Sequence, residues 1–111
     1  MKTSLGARIL ALSGPLTIQT LFDFQAAVRA DMGAPLILDL SAVPYMDSAG
    51  LGSVMTAFAS WQRMRRGFAI YGVSDRIKTL FAITHVEDIL PCFESIEDAE
   101  AGVLACGRNP E

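Results

Sequence analysis

The chain predicts an α/β fold: a small, mainly parallel or mixed sheet of about four strands with about four helices packed on it. Two observations carry that expectation. Short apolar runs such as Leu36-Ile37-Leu38-Asp39-Leu40 are apolar on both faces, as strands buried between helices are. They alternate with stretches whose apolar residues recur at helical spacing, such as Leu51, Val54, Met55, Phe58 and Trp61. The 111 residues, 51% hydrophobic and 19% charged, suffice for one domain with a real core, so a single domain over residues 1–111 is expected.

Taken in order, Ala7 to Leu12 reads as a strand stopped by Ser13-Gly14-Pro15. From about Gln19 to Asp31 the residues Leu21, Phe24, Val28 and then Met32 follow helical spacing, and Gly33 is expected to end that helix. The Leu36 to Leu40 strand follows. A second helix is expected from Ser48 to about Arg66, stopped by Gly67. Phe68 to Val73 is the next strand, and Ser74 is a plausible cap for a helix carrying Ile77, Leu80 and Phe81. A short strand near Cys92-Phe93 precedes Ser95-Ile96-Glu97-Asp98, a capping-box pattern that opens the last helix.

The bulk properties narrow the function. A net charge of −3 argues against nucleic acid as the main ligand, because phosphate-backbone binding needs a basic surface. No apolar stretch is long enough to span a bilayer, and Arg8 stands where a signal peptide would have its apolar core, so a cytoplasmic protein without direct membrane insertion is expected. Cys92 and Cys106 are too few for a disulfide scaffold or a metal site and read as buried or semi-buried thiols. Arg63, Arg65, Arg66, Arg76 and Lys78 make the stretch from Trp61 to Lys78 basic, while Glu94, Glu97, Asp98, Glu100 and Glu111 make the C-terminal part acidic. Both fit solvated helix faces, and the arginines also fit a patch for an acidic partner.

The informative stretch runs from Leu38 to Gly52. A buried strand ends at Leu40, a loop follows, and a helix opens at Asp47-Ser48. Partner sites in open α/β sheets favour this edge. A helix N-terminus presents unpaired N–H groups and a positive dipole end, so a phosphate on Ser48 would be carried there without melting the helix. Gly50 and Gly52 lack side chains and are expected to leave the first turn open to another protein. Asp47 reads equally as a plain N-cap and as a residue that orients the Ser48 hydroxyl or touches a partner. Met46, Tyr45 and Ala49 complete the candidate partner-binding set with Asp47, Ser48, Gly50 and Gly52, although Met46, like Met55 and Met64, also reads as core filling.

The same residues resemble a known family. Asp39-Leu40-Ser41, Val43 and Met46-Asp47-Ser48-Ala49-Gly50-Leu51-Gly52 are similar to the signature of STAS domains (sulfate transporter and anti-sigma factor antagonist). Leu12-Ser13-Gly14-Pro15-Leu16-Thr17, Gly67 to Ser74 and Glu97-Asp98-Ala99 resemble other parts of that family, so the likeness covers nearly the whole chain. It implies an anti-sigma factor antagonist that regulates transcription by binding a serine/threonine kinase anti-sigma factor and releasing the sigma factor. By the same resemblance Ser48 is the phosphorylation site that ends binding, and a PP2C-like phosphatase restores it. The ATP belongs to the partner, and the chain itself needs no cofactor, no metal and no catalytic residue. Two departures stand out. There is little room before Ala7 for the extra strand that members of the family often carry, and Ala49 occupies a position where many relatives have a second hydroxyl.

Other readings compete. A scaffold subunit of a stress-signalling complex, or of a lipid-transport ABC system, would use Ser48 only as part of a helix start. A serine hydrolase would need a base and an orienting acid near Ser48. The only histidine is His85, which reads as a surface or hinge residue, and the Gly-x-Ser-x-Gly elbow is absent. Gly50-Leu51-Gly52 lacks the third glycine of a dinucleotide fingerprint and the Lys-Ser/Thr of a P-loop.

Overall fold

The computed structural model of the chain describes residues 6–108. Its elements alternate along the chain as β1 (Arg8–Ser13), α1 (Leu21–Arg29), β2 (Leu36–Ala42), α2 (Ser48–Arg63), β3 (Phe68–Tyr71), α3 (Asp75–Ile83), β4 (Cys92–Phe93) and α4 (Ile96–Arg108). Among the described residues the sheet has four strands in the order β1-β2-β3-β4, and every pair is parallel. The segment before residue 6, where a further strand would fall, lies outside the described residues.

Because strand order equals chain order, each crossover steps the same way across the sheet. Crossovers of one hand then put all three connecting helices on one face. The packing agrees: Leu36, Leu38, Leu40, Phe68 and Ile70 share one core with Phe24 and Val28 of α1, Leu51, Val54 and Trp61 of α2, and Ile77 and Phe81 of α3. The last helix follows the last strand and is free of that constraint. It covers the other face, where Ile37 and Ala69 meet Ala99 and Val103. Central β2 is thus covered on both sides, which explains its continuous apolar run. Trp61 is fully buried and its indole N–H donates to the Ala34 carbonyl at 2.9 Å, satisfying the one polar group on a large apolar ring.

The helix ends correct two expectations. The first helix stops at Arg29, well before Gly33, and the Arg8 guanidinium donates to carbonyls in and just beyond its last turn, those of Ala27, of Val28 at 3.2 Å and of Asp31 at 2.8 Å. A cation at a helix C-terminus suits the dipole as well as the orphan acceptors. In α2 the helix stops at Arg63, and the left-handed residue after it is Arg65, at φ 57°. The Arg65 N–H donates to Gln62 and the Arg66 N–H to Trp61, the bond pair of a Schellman cap. Gly67 serves packing instead: a Cβ there would lie 2.1 Å from the Val103 carbonyl oxygen. His85 repeats the Schellman cap after α3, at φ 61°, with bonds from His85 to Ala82 and from Val86 to Phe81.

The other helix starts follow the sequence. The Ser74 hydroxyl accepts the Ile77 N–H at 3.3 Å, and the Ser95 hydroxyl accepts the Asp98 N–H at 3.0 Å. Both are side-chain caps of the usual kind. Cys92 lies exposed on edge strand β4 rather than buried, although local desolvation pushes its thiol up against a smaller opposing pull from Lys78. The side chain of Cys106 falls outside the described residues. Among the described residues no helix is long and apolar enough to cross a membrane.

Candidate functional site at the start of the second helix

All four helices begin at the C-terminal end of the sheet, and the start of α2 is built from two separate segments. After β2, the Val43 N–H closes a tight turn onto Leu40. The chain then runs beside residues 14–18, with a parallel bridge between Leu16 and Met46. The Leu16 N–H donates to Tyr45 at 3.1 Å and the Asp47 N–H donates back to Leu16 at 3.2 Å. These bonds aim the Met46 side chain inward.

Asp47 joins the two segments through its side chain as well. Its backbone is extended, as an N-cap requires. One carboxylate oxygen accepts the Gly50 N–H at 2.8 Å and the other accepts the Ile18 N–H at 3.1 Å. The Gly50 N–H above all holds the carboxyl below its ordinary range, against an opposing effect of desolvation and with help from the N–H groups of Ile18 and Ala49. Asp47 is therefore both an N-cap and a clamp on the preceding loop.

Ser48, the first residue of α2, is exposed. Its hydroxyl takes no partner among the described residues. An exposed, uncommitted hydroxyl at a helix N-terminus is open to a modifying enzyme, and a dianion formed there would meet the positive end of the helix dipole. Ala49 is half-buried and Gly52 is exposed; a Cβ on Gly52 would point into open space. Tyr45 is partly exposed, and the Arg76 guanidinium carbon stands 5.0 Å from the centre of its ring, a cation–π contact tying α3 to this loop.

Two expectations change here. Met46 is buried in the core, so its side chain supports the loop instead of facing a partner. Gly50 is also buried, and a Cβ would lie 2.2 Å from the Leu16 carbonyl oxygen; the close approach it allows is by the chain's own β1–α1 loop. The structure brings Tyr45, Asp47, Ser48, Ala49 and Gly52 to one surface. It does not bring His85 there: that residue follows α3 at the opposite end of the sheet from Ser48.

Sequence reasoning missed Leu16 and Ile18 as parts of this site, and Phe22 as an exposed ring on α1. A signal for Phe22 was present, since the apolar stripe Leu21, Phe24, Val28 leaves it off the buried face. Nothing local marks Ile18, whose tie to Asp47 spans 29 positions.

Comparison with known proteins agrees with this layout. The family model of the STAS domain matches residues 1–99. An anti-sigma-B factor antagonist of Staphylococcus aureus is 33% identical over 81 residues, which cover 73% of this chain and 75% of that protein. Its counterpart in Listeria monocytogenes is 43% identical over 58 residues, 52% of this chain and only 51%, about half, of the relative. Among solved structures, an anti-sigma factor antagonist from Thermotoga maritima superposes with a TM-score of 0.82 at 22% identity, over 88% of this chain and 87% of that one. A sulfate transporter family protein from Wolinella succinogenes superposes with a TM-score of 0.79 at 20% identity, over 98% and 93%; likenesses at these identities speak for the fold alone. With its sheet order, its helix start at Asp47-Ser48 and a family match over nearly its whole length, the chain belongs to the STAS domain family.

Proposed function

We propose that the chain is an anti-sigma factor antagonist. It binds a serine/threonine kinase that is also the anti-sigma factor, frees the sigma factor, and is switched off when that kinase phosphorylates Ser48. The observation that carries this reading is the exposed, unbonded Ser48 hydroxyl at the first position of a helix whose cap, Asp47, is already committed to backbone donors.

The physics of the switch is local. Phosphorylation adds a charge of about −1.5 to −2. The helix N-terminus stabilises that charge, so the fold survives it. A docked partner does not tolerate it: like charges at a desolvated interface cost several kcal/mol, enough to abolish a micromolar complex. Asp47 adds to the repulsion because its backbone bonds keep it ionised. A PP2C-like phosphatase resets the cycle. The phosphoryl donor, ATP, is bound by the kinase, and this chain supplies only the acceptor oxygen and its setting.

The test is a phosphorylation assay with the purified anti-sigma factor kinase of the source organism and ATP, read by site mapping. Phosphate on Ser48 in the wild type and none in Ser48→Ala is the expected result. Phosphate elsewhere, or none with a kinase shown to be active, overturns the reading.

A further inference from the structure

The contact between α1 and α2 leaves a groove of about 390 Å³, its open mouth included, at the small end of the range for ligand pockets. Its floor is apolar. Phe24 and Val28 of α1 and Trp61 of α2 are buried and line it together with Met32. The one N–H of the Trp61 ring is spent on the Ala34 carbonyl, so the ring offers the groove only apolar surface.

The polar groups on the two walls differ. On α2 the three hydroxyls are committed within the helix. Ser53 donates to the Ala49 carbonyl at 3.0 Å, Thr56 donates to the Gly52 carbonyl at 2.9 Å, and Ser60 accepts from the Arg63 guanidinium at 3.5 Å. On α1, Gln25 and Arg29 line the groove, and neither side chain has a hydrogen bond or ion pair among the described residues. A cation in the last turn of a helix commonly serves the terminal carbonyls. Here the Arg8 guanidinium already takes that place, and Arg29 is left to the groove. It is the one charged residue among those that line it.

We propose that this groove binds a small monocarboxylate with a short apolar body. The body lies over Phe24, Met32 and Trp61, and the carboxylate meets Arg29 at the mouth, with the Gln25 amide as a second donor. Charge decides the class of ligand. An apolar floor alone would take any apolar body, whereas an unpaired guanidinium with no acid beside it favours an anion and disfavours an amine. A guanidinium also matches a carboxylate through two parallel hydrogen bonds. Such a ligand touches both helices and stabilises the folded chain by mass action. Binding here does not depend on the role of Ser48.

The test is titration of the purified chain with hexanoate and with cyclohexanecarboxylate at constant ionic strength. It is followed by the emission of Trp61, the only tryptophan, and by the midpoint of thermal unfolding. 1-Hexanol and hexylamine are the ligand controls. Arg29→Ala removes the cation, Thr56→Phe closes the mouth, and Arg63→Ala removes an exposed cation outside the groove; circular dichroism confirms each fold. The expected result is a saturable change in emission and a raised midpoint with at least one carboxylate. Its affinity should fall about tenfold in Arg29→Ala, vanish in Thr56→Phe and stay unchanged in Arg63→Ala, and both control ligands should bind about tenfold more weakly or worse. No saturation with either carboxylate up to about 50 mM overturns the site. Wild-type affinity in Thr56→Phe puts the ligand elsewhere and overturns it too. Equal binding of 1-hexanol, or wild-type affinity in Arg29→Ala, overturns the carboxylate as the ligand class.

Discussion

The second and third helices start at the same end of the same sheet, each capped by a side chain, yet they differ in what surrounds the cap. Ser74 accepts one N–H, from within its own helix. Asp47 accepts one from its own helix and one from Ile18, in a loop nearly thirty residues earlier. The first turn of α3 carries the long charged side chains Asp75, Arg76 and Lys78. The start of α2 carries Ser48, Ala49, Gly50 and, one turn on, Gly52, with exposed Ile18 and Tyr45 beside it. The helix dipole is common to both, so it does not by itself make a site. What singles out α2 is a bare first turn held against a second segment by one carboxylate.

Breaking that contact between segments should have the largest effect on the fold. Gly50→Ala forces a Cβ onto the Leu16 backbone and is expected to destabilise by about 3 kcal/mol, the upper range of overpacking. Gly52→Ala, two residues on, meets nothing and should stabilise by about 1 kcal/mol through helix propensity while weakening kinase binding. Denaturant unfolding of the two variants, with titration of the second, checks the opposite signs.

The two caps themselves give the next contrast. Ser74→Ala should cost about 1 kcal/mol. Asp47→Ala should cost more, because two donors lose their acceptor, and hydrogen exchange should rise at Ile18 as well as in α2. The sign with pH follows from the depressed carboxyl of Asp47: its contribution is complete above the unfolded-state pKa and is lost as pH falls through the folded value. Unfolding curves of wild type and Asp47→Asn should therefore converge in acid, whereas the Ser74→Ala difference should not change from this source.

The smallest expected effects lie at the other ends of these helices. Arg65 and His85 occupy left-handed positions that glycine would fill without strain. Arg65→Gly and His85→Gly should each raise stability by about 0.5–1 kcal/mol in thermal or denaturant unfolding, with no change at Ser48.

Much of this architecture was legible in the residues. The double-sided apolar run of β2, the stripe of α2 and the caps at Ser74 and Ser95 are local signals, and they fell where expected. Glycine was the recurrent source of error. Gly33 and Gly67 look like helix stops and Gly50 like an opening for a partner, yet Gly67 and Gly50 are present because another backbone passes within van der Waals reach. Sequence does not distinguish a glycine needed for its torsion angles from one needed for its size. Met46 reads both as core filling and as part of the partner-binding set, and the Leu16 bridge that turns it inward, a long-range pairing without a local mark, decides for the core. The Asp47-Ser48 start was visible because motif and helix boundary coincide, whereas its border at Ile18 depends on a bond to Asp47 from 29 positions away.

The most direct test of the switch compares the affinity of one purified anti-sigma factor kinase for the unmodified chain and for the chain quantitatively phosphorylated at Ser48, both confirmed folded. The account predicts a complex with the unmodified chain and a loss of about 100-fold or more on phosphorylation, the equivalent of about 2.8 kcal/mol. Equal affinities for the two forms would contradict it and leave Ser48 as no more than the first residue of a helix.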